Sequence, residues 1–215
     1  LDVAAGSCLG IVGESGSGKS LFSRALLGSF PEGAEVSGTL RLGAVELTSA
    51  APETVRALRQ NDVGMIYQDP RASINPVHRI EDFLIEGVVQ AGMLSRSEAR
   101  ERAIALLRRM RLQEPEAVMR RYPDELSGGM LQRVMIAGAL IAEPSVLLCD
   151  EATTALDVTT QAEIVALLNE LRIELGVTLI FVTHDLELAG ELCETLCVLY
   201  AGEVMELGPT TEVLS

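Results

Sequence analysis

The sequence predicts an α/β fold with a mostly parallel core sheet, a small antiparallel β subdomain and a helical subdomain. Three observations carry this. Short apolar runs at 7–12, 146–149 and 177–183 read as strands covered on both faces, and they alternate with stretches of helical period. Residues 36–48 (VSGTLRLGAVELT) alternate in polarity and are broken by glycines, as in a small antiparallel sheet. The stretch from about 71 to 137 is mostly helical and interrupts the strand–helix alternation like an insertion.

The elements follow in order. Ser7–Val12 feeds a glycine-rich loop, and Leu21–Leu27 is helical with Gly28 as its stop. Val63–Tyr67 is a short strand. Ser95-Arg96-Ser97-Glu98 is a capping box opening a helix whose inner face is Ala103, Leu106, Leu107 and Met110. Val146–Cys149 is a buried strand. Asp157 caps a helix with Ile164, Leu167, Leu168, Leu171 and Leu175 inward and Gly176 as its stop. Val177–Thr183 is a further buried strand, and Cys197–Leu207 is a hairpin turning at Ala201-Gly202.

Composition narrows the function. With 215 residues, 48% apolar and 22% charged, the chain is globular and the size of one domain with an insertion. A net charge of -14 and only 3% aromatics, with no Trp, argue against nucleic acid as a partner. No apolar run reaches the ~18 residues of a membrane-spanning helix. Residues 96–121 hold eight Arg against four Glu, and 140–215 hold fourteen acids against Arg172 alone; both are expected to be solvated surface. Of the 17 basic residues, Lys19 is the only lysine. Cys8, Cys149, Cys193 and Cys197 have no metal-ligand spacing and are expected to pack as small apolar residues. Opening Leu1-Asp2-Val3 without Met or a basic segment, the N-terminus reads as trimmed rather than as a signal peptide.

That lone lysine closes Gly13-Glu14-Ser15-Gly16-Ser17-Gly18-Lys19-Ser20, which fits G-x-x-x-x-G-K-[ST] between a strand and a helix. Backbone N–H groups of such a loop converge on a phosphate at the helix N-terminus. Lys19 is expected to reach the β- and γ-phosphates, and the Ser20 hydroxyl to bind Mg²⁺. Val146–Cys149 ends in Asp150-Glu151, beside the loop in a doubly wound sheet. Asp150 is expected in the Mg²⁺ shell and Glu151 as general base for the attacking water. Leu126-Ser127-Gly128-Gly129-Met130 opens a helix and offers a second set of free N–H groups to an anion.

Together with Gln68 in Tyr67-Gln68-Asp69-Pro70, Ala155-Leu156-Asp157 and His184, these motifs resemble, in order and spacing, an ATP-binding-cassette (ABC) ATPase of the P-loop class. The likeness covers essentially the whole chain. Gln68-Asp69-Pro70, Asn75-Pro76 and SGGMLQRVMIA are similar to the ATPase subunits of peptide and nickel importers. The resemblance implies one domain over 1–215, shortened at both ends, with a helical subdomain at about 71–137. ATP is implied at Gly13 through Leu21, and Mg²⁺ at Ser20, Gln68 and Asp150. The resemblance implies catalytic roles for Glu151, His184 and Gln68. Ser127, Gly128 and Gly129 are implied to bind the γ-phosphate of ATP held by a second ABC subunit in a head-to-tail dimer, homo- or heteromeric, with Asp157 at the interface. Permease subunits and, indirectly, a solute-binding protein are the implied partners, at the cytoplasmic face of the inner membrane.

Two departures stand out. Ala152 occupies the position after the acidic pair where many relatives have Pro. The adenine-stacking aromatic of relatives lies upstream of the short stretch that precedes Gly13, so weaker nucleotide binding is expected than with a native extension. A soluble ABC ATPase of translation or DNA repair is disfavoured by the single cassette, short insertion and acidic charge. A purely regulatory cassette is disfavoured by the presence of Glu151 and His184.

Overall fold

The computed structural model describes residues 1–154 and 156–215; Ala155, in the Ala155-Leu156-Asp157 stretch, lies outside the described residues. In chain order the elements are β1 (Cys8–Gly13), α1 (Lys19–Leu26), β2 (Arg41–Leu42), β3 (Val45–Glu46), α2 (Pro52–Asn61) and β4 (Val63–Ile66). Helices α3 (Pro70–Ser73), α4 (Ile80–Gln90), α5 (Arg96–Arg109), α6 (Pro115–Val118) and α7 (Gly128–Leu140) follow. The chain closes with β5 (Val146–Asp150), α8 (Val158–Leu175), β6 (Thr178–Thr183), α9 (Leu186–Leu192), β7 (Thr195–Tyr200), β8 (Glu203–Pro209) and α10 (Thr210–Val213).

Among the described residues, the main sheet has six strands in the order β4-β5-β6-β1-β7-β8. All neighbours are parallel except β8, which returns antiparallel along the β7 edge. Strand β1 therefore lies inside the sheet, between β6 and β7, and delivers the glycine-rich loop to the middle of its C-terminal edge. Alternate residues feed two cores: Cys8 and Val12 of β1, Cys149 of β5 and Phe181 of β6 face one side, while Leu9, Ile11, Leu148 and Ile180 face the other. Helix α1 covers the second side through Phe22 and Leu26.

The helical run is not a separate globule. Ile80, Leu84, Leu107, Met110, Met119 and Leu131 belong to the same buried cluster as Phe181 and Cys149 of the sheet. The capping box at Ser95 forms as expected. Glu98 N–H donates to Ser95 Oγ at 3.3 Å, and Ser95 N–H donates to Glu98 Oε2 at 2.9 Å. It starts α5, whose Ala103 and Leu107 are fully buried. Leu107→Ala should lower unfolding stability by roughly 2–5 kcal/mol, read from denaturant melts, through lost transfer energy and the cavity left behind. A loss under about 1 kcal/mol would place Leu107 outside the shared core.

Of three further expectations, only the inward placement of Leu175 needs correction. The small antiparallel sheet expected within 36–48 forms, with the pairs Arg41–Glu46 and Leu42–Val45, and Leu40, Leu42, Val45 and Leu47 pack with Val55 and Leu58 of α2. Leu175 is 41% exposed: at the end of α8 it borders an open cleft with Arg109 and Pro144 instead of the core. The basic stretch is exposed surface as expected, and two of its arginines, Arg109 and Arg111, pair there with Glu174 and Glu170 of α8 at 2.6 and 2.7 Å, as Arg133 beyond it pairs with Glu163 at 2.8 Å. The sequence reading singles out no start for α2, α4 or α9: Ala51 and Arg79 give α2 and α4 no side-chain cap, and Asp185 caps the short α9. The hairpin forms as expected, with Ala201 and Gly202 both at positive φ (48° and 87°), the twist that a two-residue turn requires. The cysteines are buried: Cys193 ends α9 with its sulfur 2.8 Å from that of Cys8, and Cys197 lies on β7.

Candidate functional site

The loop after β1 is shaped by two glycines for different reasons. A Cβ on Gly13 would lie 2.3 Å from the Leu199 carbonyl and 2.5 Å from Ser17 Oγ, so only glycine lets the loop pack onto β7. Gly18 stands at φ 105° as the N-cap of α1, which turns the chain directly into that helix. The β7–β8 turn closes over the loop, with Gly202 N–H donating to the Ser17 carbonyl at 3.0 Å. No motif marks Gly202; strand pairing brings it there from far along the chain. Ser17 is buried and its Oγ lacks a hydrogen-bond partner among the described residues.

Lys19 is 5% exposed, and its ammonium is folded back across the loop. Nζ donates to the carbonyls of Gly13 at 2.7 Å and Glu14 at 2.9 Å, and stands 3.6 Å from Glu151 Oε1. Glu151 follows β5 with φ 49°, left-handed backbone that a non-glycine side chain adopts only when its surroundings enforce it. Its N–H is held by the Val182 carbonyl at 2.9 Å. That turn separates two adjacent acids: Asp150 stays at the strand end, while Glu151 faces the loop. Gln68 Nε2 donates to Glu151 Oε2 at 3.2 Å, and His184 Nδ1 lies 3.8 Å from the same oxygen.

Burial, then the neighbouring Glu151 charge, push the Asp150 carboxyl above the usual range; a hydrogen bond from Ser23 and the Lys19 and Arg24 charges oppose this. Ser23, fully buried on α1, is a site residue that motif reading passes over. Val12, Gly13, Glu14, Ser15, Glu151 and His184 line a cleft of about 610 Å³. A smaller hollow of about 220 Å³ lies under Ser15, Gly16, Gly18, Lys19, Ser20 and Leu21, again with Glu151 on its wall. Ser20, Gln68 and Asp150 offer hard oxygen atoms, the donor set that Mg²⁺ takes. A half-buried acid beside a second acid also fits a cation, which would relieve their repulsion.

The remaining sequence candidates sit elsewhere. Ser127 caps α7, its Oγ accepting from Met130 N–H at 3.3 Å, so the first N–H groups of that helix are free. Asp157 caps α8, and a Cβ on Gly129 would lie 3.0 Å from Thr160 Cγ2, so the two helix starts adjoin. Neither Ser127–Gly129 nor Asp157 lines the two hollows around Lys19. Glu151, His184 and Gln68 thus converge with the loop inside one protomer, whereas residues 127–129 do not.

Asp157 carries a pH dependence of its own. The Thr160 hydroxyl donates to Oδ2 at 2.7 Å and the Thr160 N–H to Oδ1 at 3.0 Å. Together they hold the carboxyl below the usual carboxylate range. Because the native value is lowered, the cap stabilises fully above the unfolded value of about 3.9 and loses its effect as pH falls through the native one. In thermal melts, Asp157→Ala should therefore unfold a few degrees below wild type near neutrality, and the gap should close in acid. A gap that widens in acid would contradict the cap.

The family model described as ABC transporter matches residues 1–154, the span that carries the loop, Gln68, Ser127–Gly129 and the acidic pair. The chain belongs to the ABC transporter family. The solved cassettes it resembles share the whole architecture of an ABC ATPase. Against the dimeric post-hydrolysis state of the cassette MJ0796 bound to ADP and Pi, the TM-score is 0.83 at 29% identity, covering 98% of this chain and 88% of that one. Against cbiO1 from Clostridium perfringens, described as part of the ABC transporter complex cbiONQ, it is 0.87 at 29% identity, covering 100% and 81%. Among curated relatives of this ABC chain, the oligopeptide transport ATP-binding protein OppD of Salmonella typhimurium is 42% identical over 209 residues. The probable peptide ABC transporter ATP-binding protein y4tR of Sinorhizobium fredii is 41% identical over 215. The chain spans 62% and 64% of the length of these two proteins, and they cover 97% and 99% of it.

Proposed function

We propose that the chain is the nucleotide-binding and hydrolysing cassette of an importer for peptides. The observation that carries the reading is the convergence of Lys19, Gln68 and His184 on one carboxylate, Glu151, at the mouth of the glycine-rich loop. A triphosphate enters the hollow under Gly13 to Leu21, where backbone N–H groups and Lys19 receive the β- and γ-phosphates. Lys19 then exchanges its contact with Glu151 for the phosphate. Ser20, Asp150 and Gln68 would hold Mg²⁺, which supplies charge neutralisation across the phosphate oxygens when bound. Glu151 accepts the proton of the attacking water, and His184 and Gln68 hold that water in line with the γ-phosphate. ADP and inorganic phosphate leave.

Residues 127–129 complete the site of a second cassette, of the same or a paralogous chain, with Asp157 beside them at the interface. This fits their separation from the loop within one protomer and the dimeric form of the MJ0796 cassette. The 1–215 stretch acts as one cassette whose helical part, about 71–137, meets permease subunits at the inner face of the membrane; a solute-binding protein completes the importer. Peptide is preferred to nickel as cargo because the relatives named above are described by peptide transport. The direct test is phosphate release from MgATP by the purified chain, together with recovery of the neighbouring permease subunits on affinity purification. Nucleotide binding without phosphate release would favour the regulatory alternative; release without permease recovery would favour a soluble ATPase.

A further inference from the structure

Met135 lies on α7, the helix that Ser127 caps, and is 2% exposed. Its thioether sulfur accepts the backbone N–H of Tyr67 at 3.1 Å. Tyr67 is the first residue past β4, whose last ladder partner pairs Ile66 with Cys149. Its amide lies past the ladder of this edge strand, and the Met135 sulfur is the acceptor the structure gives it. Leucine would fill the same volume without one; methionine supplies a weak acceptor as well as bulk.

The next residue is Gln68, whose Nε2 donates to Glu151 Oε2 at 3.2 Å. Beyond it, Asp69 caps α3 by accepting from Arg71 N–H at 2.8 Å, so the exit segment is pinned on its far side too. The links run without a gap from the helix that presents Ser127–Gly129, through the Met135 sulfur and the Tyr67 amide, to Gln68 and the carboxylate. We propose that Met135 is a positioning residue: its sulfur sets where the chain leaves β4 and so aims Gln68 at Glu151 according to where α7 stands. This rests on the role given above to Glu151.

The test is Met135→Leu, which conserves volume and removes the acceptor. By NMR on the unliganded chain, the Tyr67 amide should exchange with solvent about tenfold faster, and the Gln68 side-chain amide resonance should shift. In steady state, kcat should fall about fivefold, the size expected from one neutral hydrogen bond, while KM for MgATP stays within about twofold. Met135→Gln, whose side-chain carbonyl restores an acceptor, should recover both. Unchanged Tyr67 exchange in Met135→Leu overturns the proposal; so does faster exchange with the Gln68 resonance and kcat unmoved. A wild-type chain without turnover would instead count against the hydrolytic reading, and the two NMR measurements would still decide whether Met135 aims Gln68.

Discussion

Replacing Glu151 by Gln is expected to slow phosphate release from ATP by at least about a hundredfold, the lower end of what a positioned general base contributes. The substitution is nearly isosteric. It keeps an acceptor for Gln68 Nε2, which now stands 3.2 Å from Glu151 Oε2. What disappears is the negative charge that takes the water's proton. That charge also lies 3.6 Å from the buried Lys19 ammonium. Without it, the lysine loses a competitor for the γ-phosphate, and the hollow loses an anion that repels one. ATP should therefore bind the variant at least as well as wild type, and ATP-driven pairing of protomers should persist because hydrolysis no longer ends it. Phosphate release and light scattering with and without ATP measure the two halves. Hydrolysis at the wild-type rate would remove Glu151 from the role of base; lost ATP binding would mean that the carboxylate is structural.

Much of the site is legible in the sequence because its chemistry is local in the chain. A phosphate loop needs glycines, a lysine and a hydroxyl at fixed spacing, and a metal-holding acid needs the end of a buried strand. Residues 13–20 and 150–151 satisfy both rules within a few positions. His184 and Gln68 stand out only through the family likeness, since a single His or Gln after a strand has no pattern of its own. The supporting contacts are hidden for a different reason. Gly202 reaches the loop through strand pairing. Ser23 reaches Asp150 through the packing of α1 on β5. Met135 reaches Tyr67 from 68 positions away in the chain. The charge ladder from Arg109, Arg111 and Arg133 to α8 is equally invisible, because its partners are far apart in the chain. The small β subdomain is legible as alternation at 36–48, but its partner is not: Leu40, Leu42, Val45 and Leu47 find their cover in Val55 and Leu58 of α2.

Ser127→Arg should separate what one protomer does alone from what two do together. Ser127 is exposed, so the change removes a helix cap, worth about 1 kcal/mol, and leaves the core untouched. It places a bulky cation at the free N–H groups of α7. None of the residues lining the hollows around Lys19 belongs to that helix, so nucleotide binding to the variant's own loop should change by less than about threefold. Any function that needs those N–H groups on a triphosphate across an interface should fail. ATP-driven pairing in the Glu151→Gln background is expected to vanish, and phosphate release by the otherwise native chain to drop about a hundredfold, as when an oriented donor to developing charge is lost. Lys19→Ala makes the contrast: the loop loses its ammonium, so binding and pairing fail together. Titration of a fluorescent ATP analogue and light scattering separate these patterns. If Ser127→Arg weakens binding to the single chain as severely as Lys19→Ala does, residues 127–129 serve their own protomer's nucleotide and the head-to-tail arrangement is wrong. If it leaves pairing and turnover intact, the free N–H groups of α7 have no anion to hold.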